Sequence, residues 1–232
     1  MSIISAVKSI WEGFDFSYIL SIIQSLIPAL VCITLHELSH GYTAYLLGDD
    51  TAKSRGRLTL NPIKHMDVMG LLMMLVFHVG WAKPVPVNMY KFKNPKRGMA
   101  LTALAGPMSN LVIAVVFMFF SGLLYIPLYS SGVGYFFLGM LQLTAYISIG
   151  LGLFNLIPIP PLDGSKVLFS LMSDEKYYKL MRYERYGSIL MLILVASGVI
   201  GRPLSSLISK TIYGLTPVAQ FGMTLVYNLF YK

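Results

Sequence analysis

Charge is what this sequence has least of. Only 12% of its 232 residues are Asp, Glu, Lys or Arg, against about 25% in an ordinary soluble domain. That is too few to coat a water-facing surface, which excludes a soluble globular protein. The single cysteine, Cys32, excludes a disulfide scaffold. With 56% hydrophobic residues, the chain is too apolar to stay disordered. It has no internal repeat, no low-complexity run and no polar linker. What remains, at a mean hydropathy of +0.67, is a single-domain polytopic membrane protein.

The charges that are present are unequal. Eighteen cations face ten acids, a net charge of +8. In membrane proteins Lys and Arg collect in cytoplasmic loops, so the excess is no footprint of nucleic acid. Residues 1–17 carry Lys8, Glu12 and Asp15 among apolar residues, with no small-residue cleavage site after a short apolar core. They read as an interfacial helix leading into the first span.

A spanning helix needs about 20 largely apolar residues. Stretches 16–47, 99–124, 134–157, 187–200 and 204–231 qualify or nearly so, the last with Pro217 as a kink. Residues 71–80 are apolar but too few to cross, and read as a re-entrant piece. The cations between these stretches alternate: nine in 48–98, none in 127–132, four in 173–186, two in the connection that follows. This places 48–98 and 173–186 in the cytoplasm, provided that 71–80 does not cross. Residues 56–60 alternate polar and apolar, and 84–88 are β-biased but interrupted by proline. Both read as short strands. The expected fold is all-α and polytopic, with five to six transmembrane helices and a re-entrant or short β element between the first two spans.

Ionisable groups inside a membrane are costly and therefore suspects for function. The first apolar stretch contains His36-Glu37-Leu38-Ser39-His40. Residues four apart share a helix face, so the two imidazoles can meet one ion, and zinc accepts such nitrogens while keeping a position open for water. Glu37 is placed to take a proton from that water. By chance, an HExxH in a chain of this composition has odds on the order of one in a thousand. The plainer alternative, two helix-packing histidines beside a paired Glu37, needs three polar partners in a charge-poor core.

A catalytic zinc site takes a third protein ligand. His65, His78 and the aspartates are the candidates. Asp163 follows an apolar run that Pro158, Pro160 and Pro161 keep from being regular helix. Asp163 equally reads as the cap of a helix starting near Ser165. The charge pattern puts it at the depth of the HExxH, on the same side, so the two can meet. His65 and Asp67 read as loop-organising, His78 as interfacial, Cys32 as a small buried thiol on the His36 face, and the fourteen methionines as adaptable packing. Gly106 and Asn110 read as close helix packing and an interhelical hydrogen bond.

HELSH, GPMSN at 106–110 and NLIPIPPLDG at 155–164 together resemble the site-2 protease family of intramembrane zinc metalloproteases. GRLTLNPIKHMD at 56–67 and GWAKPVPVN at 80–88 resemble its compact bacterial branch. The resemblance covers about 20–172. It implies one zinc ion held by His36, His40 and Asp163, Glu37 as catalytic base, Asn155 as a substrate-handling residue, and a milder functional tilt for Asn110. Val68 stands where the family's proline is expected, which touches only the local turn, and no insertion is long enough for a PDZ domain. It implies a catalytic core at about 18–172 followed by C-terminal helices at 187–232. The expected activity is peptide-bond hydrolysis in or near the transmembrane segments of single-span substrates. The expected location is the lipid bilayer of a bacterial inner membrane, with the site towards the cytoplasm and no nucleic-acid partner. A membrane metal-ion transporter or a non-catalytic scaffold is the alternative, and a Glu37→Gln variant separates them.

Overall fold

A computed structural model describes residues 16–70 and 82–230. The re-entrant reading of 71–80, His78 within it, and all but the last two residues of the interfacial helix expected over 1–17 lie outside the described residues. Eight α-helices follow one another among those described: α1 Phe16–Leu46, α2 Thr51–Ser54, α3 Pro95–Leu123, α4 Tyr125–Leu128, α5 Gly132–Asn155, α6 Asp163–Ser170, α7 Asp174–Ala196 and α8 Gly201–Phe230.

Local chemistry sets the boundaries. Asn94 caps α3, its side chain accepting from the Arg97 N–H at 3.1 Å, and Pro95 follows where its missing N–H costs nothing. Ser131 caps α5 by accepting from Gly134 N–H at 3.0 Å. Gly48, at φ +105°, turns the chain out of α1 where an L side chain would be strained.

Helix α3 is the hub and packs against α1, α5, α6 and α8. Small residues let the backbones close up, as expected where lipid offers no hydrophobic gain from association. A methyl on Gly122 of α3 would lie 1.8 Å from the Ala219 carbonyl oxygen of α8, and one on Gly222 of α8 would lie 2.5 Å from the Phe119 carbonyl oxygen. Ala114, Ile149 and Ile208 fill the junction of α3, α5 and α8. Polar cross-links join the same layer: Ser148 donates to the Asn110 carbonyl at 2.8 Å and the Cys32 thiol to the Thr144 carbonyl at 3.4 Å.

Among the described residues the five to six spans expected from hydropathy are not found. Three helices there are long and apolar enough to cross a membrane, Ile19–Leu46, Pro95–Leu123 and Gly132–Asn155. A fourth exists if Ile189–Ala196 and Gly201–Phe230, bent by 79° at their break, count as one. The stretches 187–200 and 204–231 are thus two arms of one bent pair, with Gly198 at φ +74° between them.

No strand forms among the described residues. Residues 56–60 are turn and bend, because Arg57 N–H closes back onto the Ala52 carbonyl at 2.9 Å and Gly56 sits at φ +62°. Residues 84–88 run without regular pairing, since Pro84 and Pro86 remove two of their donors. One isolated antiparallel bridge, Met66 to Ala82, is all that the expected β element amounts to there.

Candidate metal centre

The HExxH lies in the C-terminal half of α1. His36 and His40, one turn apart, bring their Nε2 atoms to 3.0 Å from each other, and both are at most 9% exposed. Asp163 arrives from the first turn of α6. Its Oδ2 lies 3.2 Å from each of those nitrogens. The capping alternative for Asp163 fails: the residue at the α6 cap is Leu162, and no side-chain cap bond forms. The turn that delivers Asp163 is tight, for a methyl on Gly164 would sit 2.2 Å from the Leu156 carbonyl oxygen.

The protons around this cluster favour a cation. His40 Nδ1–H donates to the Thr102 carbonyl at 2.7 Å, which leaves the lone pair on Nε2 in the neutral ring. The His40 Nε2 lone pair, His36 Nε2 and the Asp163 carboxylate converge on one point, the donor set that a cation would take. Tetrahedral zinc with bonds near 2.0–2.1 Å separates its ligand atoms by about 3.3 Å, close to the spacing here. The residues fit a zinc ion.

Gly106 of α3 makes room for this pair. A methyl there would lie 2.4 Å from His40 Nε2 and Cε1 and 2.7 Å from His36 Cε1. Glu37 lines the same cleft as the three ligands, and its Oε2 accepts the Val85 N–H at 2.8 Å. The cleft holds about 470 Å³ and is shared by Glu37, Val85, Asn155, Asp163 and Lys166.

The remaining sequence candidates divide. Asn155, the last residue of α5, lines the cleft while its Nδ2 donates to the Leu151 carbonyl at 2.9 Å. Asn110 is fully buried in α3, outside the cleft lining, and both its side-chain polar atoms lack a partner among the described residues. His65 is 1% exposed, with Nε2–H donating to the Thr59 carbonyl at 2.8 Å, and Asp67 accepts from Gly70 N–H at 2.9 Å. Both organise the loop. Cys32 is buried and free. The Thr102 carbonyl and the Val85 N–H are the site groups that sequence reading missed. Neither acts through its side chain, so residue type carries no signal of them.

The sequence model for Peptidase family M50 matches residues 130–200. The chain is 40% identical over 220 residues to YwhC of Bacillus subtilis (strain 168), covering 92% of this chain and 94% of that relative. It is 32% identical over 180 residues to Rip2 of Mycolicibacterium smegmatis, covering 75% and 66%. Over 161 residues it is 34% identical to a Methanocaldococcus jannaschii protein, covering 67% and 76%. All three relatives carry the name zinc metalloprotease. No solved structure gives a significant match. With two histidines on a membrane-length helix converging on a carboxylate from a short neighbouring one, and a relative matched over nearly its whole length, this chain belongs to peptidase family M50, the site-2 protease family, and is a zinc metalloprotease of the membrane.

Proposed function

We propose that this metalloprotease cleaves peptide bonds in or near the transmembrane segments of single-span membrane proteins, at a site towards the cytoplasmic side of the cell membrane. One observation carries the reading: His36, Glu37 and His40 sit within α1, a helix long and apolar enough to cross a membrane, and open onto a cleft of about 470 Å³. The cytoplasmic orientation is supported by the nine cations in 48–98 and four in 173–186, which flank the site end of α1, α3 and α5.

His36, His40 and Asp163 would hold the ion. Bound there, zinc would polarise the scissile carbonyl and lower the pKa of water towards 7. Glu37 takes the proton from the attacking water and later delivers it to the leaving amine nitrogen, the two halves of general base and acid catalysis. The Val85 N–H fixes one oxygen of Glu37 while the other does this work. Asn155 lies at the cleft wall within reach of a substrate carbonyl, and its amide is the donor suited to holding it. A helical substrate hides its carbonyls in hydrogen bonds, so the segment must unwind first. Residues 84–88 border the cleft through Pro84, Val85 and Val87 and offer such a segment a backbone to lie along.

The test is reconstitution in lipid vesicles with a single-span substrate, comparing wild type, Glu37→Gln and Asp163→Ala with and without a chelator. Cleavage by wild type alone, abolished by chelation, is the expected result. Equal cleavage by wild type and Glu37→Gln would sink the reading, and zinc flux without cleavage would favour a transporter.

A further inference from the structure

Three buried ionisable groups remain that the chemistry above does not use: Asp49, Arg57 and His65, at 0%, 8% and 1% exposure. They lie on separate stretches, yet the Asp49 and Arg57 side chains and the His65 main-chain carbonyl all grip one strip of backbone. Arg57 Nη2 donates to the Lys83 carbonyl at 2.7 Å. Lys83 N–H donates to the His65 carbonyl at 2.9 Å, and the His65 ring is braced against the Thr59 carbonyl. Asp49 Oδ2 accepts the Asn88 N–H at 2.6 Å, while its Oδ1 is held by the Thr51 N–H at 3.0 Å. Between these anchors sits Val85, whose N–H meets Glu37.

Burying a guanidinium and a carboxylate is costly, and apolar side chains of similar volume pack at least as well. Packing alone therefore does not account for them. The strip does need them, because Pro84 and Pro86 deny it the donors for sheet pairing. It also lies hard against the catalytic helix. A methyl on Gly41, one turn after Glu37, would come within 2.9 Å of Val85 Cγ1 and 2.7 Å of Leu58 Cδ2.

We propose that Asp49 and Arg57 are positioning residues: with the His65 main-chain carbonyl they hold the backbone of residues 83–88 so that the Val85 N–H stays on Glu37 Oε2, leaving Oε1 as the oxygen that takes the proton. The inference rests on Glu37 being the base. Its structural half is read without turnover, by amide hydrogen exchange across 83–89 with mass spectrometry on the full chain in detergent. Exchange there rises about tenfold or more in Arg57→Met and Asp49→Ala, and at Val85 in Glu37→Ala. In cleavage assays Arg57→Met lowers kcat about 10–100-fold, the scale of a misplaced catalytic group, with KM within about twofold and zinc content unchanged. Arg57→Lys, which keeps a donor to the Lys83 carbonyl, regains most of that kcat and covers the case that Arg57→Met fails to fold. Unchanged exchange in Asp49→Ala and Arg57→Met, or unchanged kcat where exchange has risen, overturns the proposal. A wild type that cleaves nothing defeats the catalytic reading separately, and the Val85 exchange in Glu37→Ala still decides whether the strip holds Glu37.

Discussion

Gly106 and His40 are in contact across two helices, so close that a methyl on Gly106 would stand 2.4 Å from His40 Nε2. Helix α3 thus does two things within one turn. Its Thr102 carbonyl fixes the His40 tautomer, and its bare Gly106 leaves the space in which both imidazoles turn towards Asp163.

Gly106→Ala therefore acts on the metal before it acts on the fold. The added carbon cannot be met by a flexible chain end yielding, since its neighbours are rigid rings anchored by α1. Zinc affinity is expected to fall about 10–100-fold, as for other disturbances around a ligand. Zinc retained after dialysis against a competing chelator measures this, with helical circular dichroism expected to stay at the wild-type level.

The crossing of α3 and α8 makes a prediction about stability instead. Gly122→Ala would drive a methyl to 1.8 Å from the Ala219 carbonyl oxygen, and Gly222→Ala would crowd the Phe119 carbonyl. Each is expected to cost about 1–3 kcal/mol from overpacking. Gly214, also in α8, has nothing within 4 Å of an added methyl. Gly214→Ala should then be neutral or gain up to about 1 kcal/mol from helix propensity. Thermal unfolding in detergent separates the three.

How much of this was legible in the sequence follows from which atoms do the work. His36 and His40 are legible because residue type and helical spacing alone specify a shared face, and Glu37 because it completes the HExxH pattern beside them. Asp163 needs the charge pattern of the loops to bring it to the same depth, and by itself is indistinguishable from a cap. The Val85 N–H and the Thr102 carbonyl are backbone groups that every residue carries. The alternation at 56–60 has a cause other than a sheet: Arg57 turns inwards to the Lys83 carbonyl and Leu58 packs beside Gly41, so the two sides of a loop imitate a strand. Apolar length likewise overcounted the C-terminal spans, because hydropathy does not register the 79° break at 197–200.

Zinc removal should destabilise the bundle and not merely silence it. A cation would tie α1 to α6 through His36, His40 and Asp163, whose ligand atoms lie 3.0–3.2 Å apart. Saturating zinc at about 100 times its Kd stabilises the native state by about 2.7 kcal/mol. The melting temperature is expected to rise with added zinc and fall with chelator in the wild type. Asp163→Ala should lose most of that zinc-dependent shift, and a wild type with no shift at all would argue against the metal centre.

Glu37→Gln separates holding the ion from using it. The carboxamide keeps the shape of the side chain, and its oxygen can still accept the Val85 N–H, so the strip over the site stays in place. None of the three ligand atoms is altered, and zinc content is expected to match the wild type. What the variant lacks is the second oxygen's capacity to take a proton from water and return it to the leaving nitrogen. Cleavage is therefore expected to fall about 10²–10⁴-fold, the contribution of a placed general base, with substrate binding retained. Trapping of uncleaved substrate on Glu37→Gln, seen by co-purification, distinguishes this from a variant that has simply lost its cleft.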